Sequence, residues 1–269
     1  MLLDSPYLVT PGKKFRISDF ATDDTAHFKD KQEAAKEVEK NLKKLATGQE
    51  LLYAEAKHAL LIVIQAMDTG GKDGAIGHVF SGVNPQGCAV TSFKVPTELE
   101  KSHDFLWRIH AAVPRRGMIG IFNRSHYESV LVERVHDLVP KRVWRDRYDH
   151  INAFEKMLAD EGVTILKFFL HISKAEQKRR LQARLDDREK HWKFSVNDVK
   201  EREFWDDYQK AYEEAIRRCS TKAAPWFVIP ADHKWFRNWV LSDTIARALH
   251  KLHMKYPEAA KGLDKVVIK

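Results

Sequence analysis

The sequence predicts an α/β fold, a mostly parallel sheet covered by helices on both faces. Three observations lead there. Five short β-type runs alternate with helical stretches along the chain. Two of the runs, LLIVI and ILKFFL, are almost continuously apolar, as strands buried on both faces are. A glycine-rich turn carrying a lysine joins the first run to the helix that follows it.

In chain order, residues 1–28 read as an irregular, loop-rich arm. Residues 30–51 form a charged amphipathic helix rich in Ala, Leu, Glu and Lys. The β-type runs are 59–66, 88–93, 118–122, 163–171 and 226–229. Helices are expected at 72–80, 98–111, 129–137, 147–160, 175–187 and 235–253. Ser173 followed by Glu176 is a capping-box signature opening one of them. Residues 187–219 break the alternation: they are highly charged, carry Trp192, Trp205, Tyr208 and Tyr212, and suggest a helical hairpin inserted between two strands. That insertion reads equally as a lid or as a stabilising surface element. The expected organisation is an arm and helix packed on the core (1–55), the core with its insertion at about 187–219 (56–257), and a tail (258–269).

Composition narrows the function without choosing it. The chain has 269 residues, 43% of them hydrophobic, enough for one α/β domain with an insertion. The net charge of +8 favours a polyanionic partner, whether nucleic acid, an acidic membrane surface or a phosphate polymer. The N-terminus lacks the pattern of a signal peptide, and the most apolar stretch, 59–67, is far shorter than the ~18 residues of a membrane span. Cys88 and Cys219 have no metal-site spacing, so a cytoplasmic protein without a membrane is expected. The thirteen histidines show no zinc-binding pattern.

The most informative stretch, 65–74, is QAMDTGGKDG. Gly70, Gly71 and Gly74 let the backbone curl around a phosphate, the helix start at Lys72 and Asp73 offers unpaired N–H groups, and Lys72 reaches the phosphates. It departs from the standard phosphate loop: Ala66 replaces the first glycine and Asp73 the hydroxyl residue after the lysine. Another oxygen must then hold Mg²⁺, and Asp68 is the natural donor. After the third run, residues 120–128 read GIFNRSHYE. Asn123 can meet a metal through its amide oxygen or a water, Arg124 can clamp a phosphate bidentately, and Glu128 adds a hard oxygen. Arg180, Arg184 and Arg188, spaced by four, form a basic ladder on one helix face, a solvated face by itself and an anion site beside a phosphate loop. Lys94, Lys101, Arg108, Arg115 and Arg116 extend the same positive surface with less support.

These motifs together resemble the family-2 polyphosphate kinases. The resemblance runs through AMDTGGKDGAI, FKVPTELEKSHDFLWR, FNRSHYESVLVERV, EQKRRLQARLDDREKHWKFSVND and APWFVIPADHKWFRNW, nearly the whole chain. It implies a P-loop kinase core like that of thymidylate kinase, with a helical lid. Asp68 and Lys72 then lie in a Walker A-like loop, Asp68 helping to hold Mg²⁺ (Mn²⁺ as a substitute) and Lys72 binding phosphate. Arg124 matches the arginine of the Walker B-like motif. Asn123 stands where many members carry aspartate. Asn123, Arg124 and Glu128 are expected on the nucleotide side, with Asn123 and Glu128 also near the metal. KHWKFS resembles the lid, bringing Arg184, Arg188 and Lys193 over the polyphosphate. FNRSHYE resembles the class III branch, whose members phosphorylate both AMP and ADP. Polyphosphate and adenine nucleotides are thus the expected partners, with no specific nucleic acid, and a homo-oligomer is expected. Adenine contacts are sought in the loop 230–234. Two readings compete: an ATP-dependent nucleotide kinase on the same core, and a basic nucleic-acid-binding module, which lacks any helix-turn-helix, zinc-finger or RNA-binding signature here.

Overall fold

The computed structural model describes residues 3–263 and 266–268; the first two residues of the expected arm and residues 264, 265 and 269 of the expected tail lie outside the described residues. Five strands, β1 (Ala59–Ala66), β2 (Cys88–Ser92), β3 (Ile119–Asn123), β4 (Val163–His171) and β5 (Trp226–Pro230), pair in the order β2-β3-β1-β4-β5, with every pair parallel. Every residue of β1 is buried, because it is the central strand with neighbours on both edges and helices on both faces.

The helices are α1 (Lys31–Glu55), α2 (Lys72–Val79), α3 (Glu98–Lys101), α4 (Trp107–His110), α5 (Val132–Val135), α6 (Lys141–Asp160), α7 (Lys174–Leu185), α8 (Val196–Glu201), α9 (Trp205–Cys219) and α10 (Lys234–His250). Helices α1, α2 and α10 pack together in one layer, and α5, α6 and α9 in the other. In α6 the buried positions Trp144, Tyr148, Ile151, Glu155 and Leu158 recur every three or four residues, the stripe a helix needs to lie on a sheet. Asp30 starts α1 by accepting from the N–H groups of Gln32 and Glu33. The arm is less irregular than expected. Leu8 bridges Phe227, with Val9 N donating to Trp226 O and Val228 N to Tyr7 O, so an antiparallel segment covers the open edge of β5.

Four helix expectations need correction. The helix over 98–111 is two four-residue helices, because Ser102 Oγ donates to Leu99 O and the Asp104 carboxylate accepts from Leu106 N, giving the backbone a turn in place of a helix. The helix over 129–137 is a 3₁₀ turn at His126–Val130 followed by α5. Helix α6 starts at Lys141, six residues earlier than expected, directly after Pro140. The capping box of α7 is half made: Ser173 Oγ accepts from Glu176 N, but Glu176 turns to Arg179 and Arg180 while Ser173 N donates to Asp232. The insertion divides in two. Residues 188–204 form 3₁₀ turns and α8 with no fully buried side chain, whereas α9 buries Trp205, Tyr212 and Ile216 in the core.

Candidate active site

The parallel sheet sends the carboxyl ends of β1 and β3 to the same edge, where the two sequence motifs meet. At the end of β1 the loop turns through Thr69 (φ +60°) and Gly71 (φ +93°), and α2 begins at Lys72. Gly71 is needed on two counts: its backbone is left-handed, and a Cβ there would lie 2.3 Å from an Arg237 nitrogen. Three side chains hold the loop carbonyls from outside. Gln177 Nε2 donates to Asp68 O at 2.9 Å, Arg180 Nη1 to Thr69 O at 3.1 Å and Arg237 Nη1 to Gly71 O at 3.1 Å. The first-turn N–H groups of α2 have no intrahelical acceptor, which makes this turn an anion-binding end. Lys72 Nζ lies 3.1 Å from Ala66 O, its charge disfavoured by burial and by Arg124 nearby.

At the end of β3, Arg124 adopts a left-handed backbone (φ +62°) and its N–H donates to Ile64 O of β1. The guanidinium sits between two carboxylates, 2.9 Å from Asp68 Oδ1 and 3.6 Å from Glu128 Oε2. Burial opposes its charge, but Glu128 and Asp68 outweigh that and hold its pKa above the usual value. Asn123 Nδ2 donates to Asp73 Oδ1 at 2.7 Å. The two departures from the standard motifs are therefore partners: an aspartate at 123 would face the carboxylate that replaces the usual loop hydroxyl.

A buried polar cluster sets the path of residues 123–128. Lys167 of β4 and Glu155 of α6 form an ion pair with almost no exposure, and Lys167 Nζ also donates to Tyr127 Oη (2.8 Å) and Cys219 O (2.7 Å). Tyr127 Oη donates to Glu155 at 2.9 Å, His126 Nε2 lies 3.2 Å from the same carboxylate, and Gln65 Nε2 donates to Ser125 Oγ. Successive residues are thus fixed from below, leaving Arg124 and Glu128 facing the loop.

The insertion covers the site. Arg202 Nη1 donates to Gln177 Oε1 at 2.7 Å, and Glu201 meets His136 (3.0 Å) and Tyr208 (3.1 Å) beside Asp68, Arg124 and Glu128. Asp198 lies 3.5 Å from Arg184, its pKa raised by burial and by Asp68. The ladder does not share one helix face. Arg180 is buried against the loop carbonyls and Glu176, Arg184 donates to Lys193 O, and Arg188 lies exposed beyond the end of α7. Lys193 is exposed and stacks over Trp192. In the loop 230–234, Ala231 O and Asp232 O accept from Arg180, and the Asp232 carboxylate accepts from Ser173 N and Thr22 Oγ1, so these groups serve the fold. Arg108 folds back on Lys94 O and over the Phe93 ring.

Sequence reasoning missed Gln177, Glu201, Arg237 and the Lys167–Glu155 pair. A lysine inside an otherwise apolar strand was a signal for the last, since a buried ammonium requires an acid.

A family model described as polyphosphate kinase 2 matches residues 28–257. The chain belongs to the polyphosphate kinase 2 family. It is 55% identical over 266 residues to the AMP/ADP-polyphosphate phosphotransferase of Meiothermus ruber, covering 97% of this chain and 98% of the relative. It is 42% identical to the ADP-polyphosphate phosphotransferase of Rhodopseudomonas palustris, covering 97% and 95%. The crystal structure of polyphosphate kinase 2 from Arthrobacter aurescens matches with a TM-score of 0.93 at 42% identity, over 96% of this chain and 93% of that one. The five-stranded parallel sheet flanked by helices is accordingly the P-loop kinase fold of this polyphosphate kinase family.

Proposed function

We propose that this chain transfers the terminal phosphate of polyphosphate to AMP and to ADP, reversibly, by in-line displacement. The observation that carries the reading is the meeting of Lys72, the N-terminus of α2 and Arg124 around Asp68 and Glu128 at the carboxyl edge of the sheet. A nucleotide phosphate is already ionised at neutral pH, so no strong general base is required; catalysis rests on positioning and on charge neutralisation in a loose transition state. Lys72 and the loop N–H groups bind and orient the phosphate chain. Arg124, released from Asp68, clamps the transferring group bidentately. Arg184 from α7, and Arg188 and Lys193 from the covering segment, supply cations, and that segment also excludes water.

Asp68 and Glu128 would hold Mg²⁺, with the Asn123 amide oxygen or a water beside them. Among the described residues no group of three or more His, Cys, Asp or Glu side chains is arranged to hold a metal. Two carboxylates suit Mg²⁺, which keeps waters and takes substrate phosphates as its remaining ligands. When bound, the ion neutralises charge on the phosphates. The name of the 55% identical relative and the FNRSHYE motif support use of both acceptors. Two unpaired thiols and the nucleotide substrates support a cytoplasmic setting.

The test is a phosphotransfer assay with polyphosphate, Mg²⁺ and either AMP or ADP, beside Asp68→Asn and Lys72→Ala. Product only with polyphosphate, and a fall of about 100-fold or more in each folded variant, is expected. Transfer from ATP but not from polyphosphate would keep the core chemistry and overturn the donor.

A further inference from the structure

Arg237 lies in the first turn of α10 and is 2% exposed. Its Nη1 donates to Gly71 O, and its Nε and Nη2 donate to Asn238 Oδ1 at 3.1 and 2.7 Å. Both partners are neutral. Among the described residues no carboxylate pairs with it; the charge that bears on it is Arg180, another cation, which already uses Glu176. Both guanidinium groups press on one spot, since a Cβ on Gly71 would lie 2.3 Å from Arg237 Nη1 and 3.4 Å from Arg180 Nη1. Burial, and then Arg180, push the Arg237 guanidinium down to about 10. The group also lies against the N-terminus of α2, where the helix dipole disfavours a cation.

Burial, the neighbouring cation and the helix dipole therefore all oppose a charge at this position. A buried cation is tolerated when an anion completes it, and the polyanion expected in the adjacent loop is such an anion. We propose that Arg237 is a positioning residue for polyphosphate: it seats the Gly71 carbonyl outward and leaves positive charge beneath the loop that the bound phosphate chain neutralises. Arg180 differs because its charge is met within the protein. The inference rests on the loop as the phosphate site.

The experiment compares wild type, Arg237→Gln, Arg237→Lys and Lys72→Ala. It measures steady-state constants for polyphosphate and AMP, and the thermal shift produced by tripolyphosphate. The neutral glutamine variant should raise KM for polyphosphate roughly tenfold, with KM for AMP and kcat within about twofold, and lose most of the thermal shift. Without ligand its Tm should match or exceed that of wild type. The lysine variant, which keeps the charge without the fork, should restore most of the shift. If the glutamine variant fails to fold, Arg237→Met, which fills the volume without charge, replaces it. A lowered ligand-free Tm with an undiminished shift, or equal behaviour of glutamine and lysine variants, would make Arg237 a structural strut and overturn the proposal. A wild-type protein unshifted by tripolyphosphate would instead overturn the loop reading itself, and loss of the shift in Lys72→Ala alone would leave that reading standing without Arg237.

Discussion

At the end of β4, His171 is almost fully buried beside the Phe169 ring, and burial lowers its pKa to about 4, against the opposing influence of Asp232 and a backbone contact with Phe20. A histidine whose folded pKa lies below its unfolded value binds fewer protons when folded. The native state therefore loses stability as pH falls from about 6.5 to about 4, and gains nothing further above that window. The full difference has an upper figure of about 3 kcal/mol, at ~1.4 kcal/mol for each pH unit that separates the folded from the unfolded value. Urea denaturation of wild type and His171→Gln between pH 4 and 7 checks it. The difference between the two curves should grow as the pH rises through that window; a flat difference would reject the assignment. Nothing in the sequence marked this histidine, because one imidazole at a strand end is legible only once its surroundings are known. The meeting of Asp68, Lys72, Arg124 and Glu128 was legible because they belong to two motifs at strand ends. The Asn123–Asp73 hydrogen bond was not, since it joins residues fifty positions apart and depends on the register of β1 against β3.

Within elements, four of the five strands were legible because burial on both faces leaves an apolar signature that needs no partner to be read, whereas the edge strand β2 buries none of its residues fully. The short helices were not: in α3 the local hydrogen bonds of Ser102 and Asp104 decide the outcome, and propensity over a longer window hides them. Lys167 shows the same limit inside a correctly placed strand. Its ammonium and the Glu155 carboxylate are both buried, and Lys167, with His126, keeps Glu155 ionised against the opposing effect of burial. Glu155→Gln leaves the lysine uncompensated and should lower stability by about 3–5 kcal/mol. The double change Glu155→Gln with Lys167→Met removes both charges and should recover most of that loss. Denaturant midpoints of the two variants decide it. A double variant no more stable than the single one would mean that packing, and not charge, dominates at this position. Because Tyr127 and His126 hang from the same carboxylate, the single variant should also lose activity at temperatures where it remains folded.

Over the whole molecule, the excess of basic over acidic residues gives the +8 charge. Part of the basic set is spent on partly buried pairs: Arg134 with Glu214, Arg147 with Glu133 and Arg180 with Glu176. Arg188 and Lys193 are exposed on the segment that covers the site, where a long anion would pass. On the proposed reading, a polymer extending beyond the loop would meet these exposed charges, whereas AMP or ADP would meet mainly the partly buried site. Salt should therefore discriminate between the two substrates. Between about 0.05 and 0.5 M KCl the Debye length shrinks from roughly 14 to roughly 4 Å, so surface attraction fades while contacts inside the loop persist. KM for long-chain polyphosphate should rise several-fold over that range, KM for AMP much less, and kcat should change little. Tripolyphosphate, with only three phosphates to meet these cations, should respond more weakly than the long polymer. Equal salt responses for tripolyphosphate and the long chain would mean that recognition ends at the loop, and that the exposed cations on the covering segment serve solvation alone.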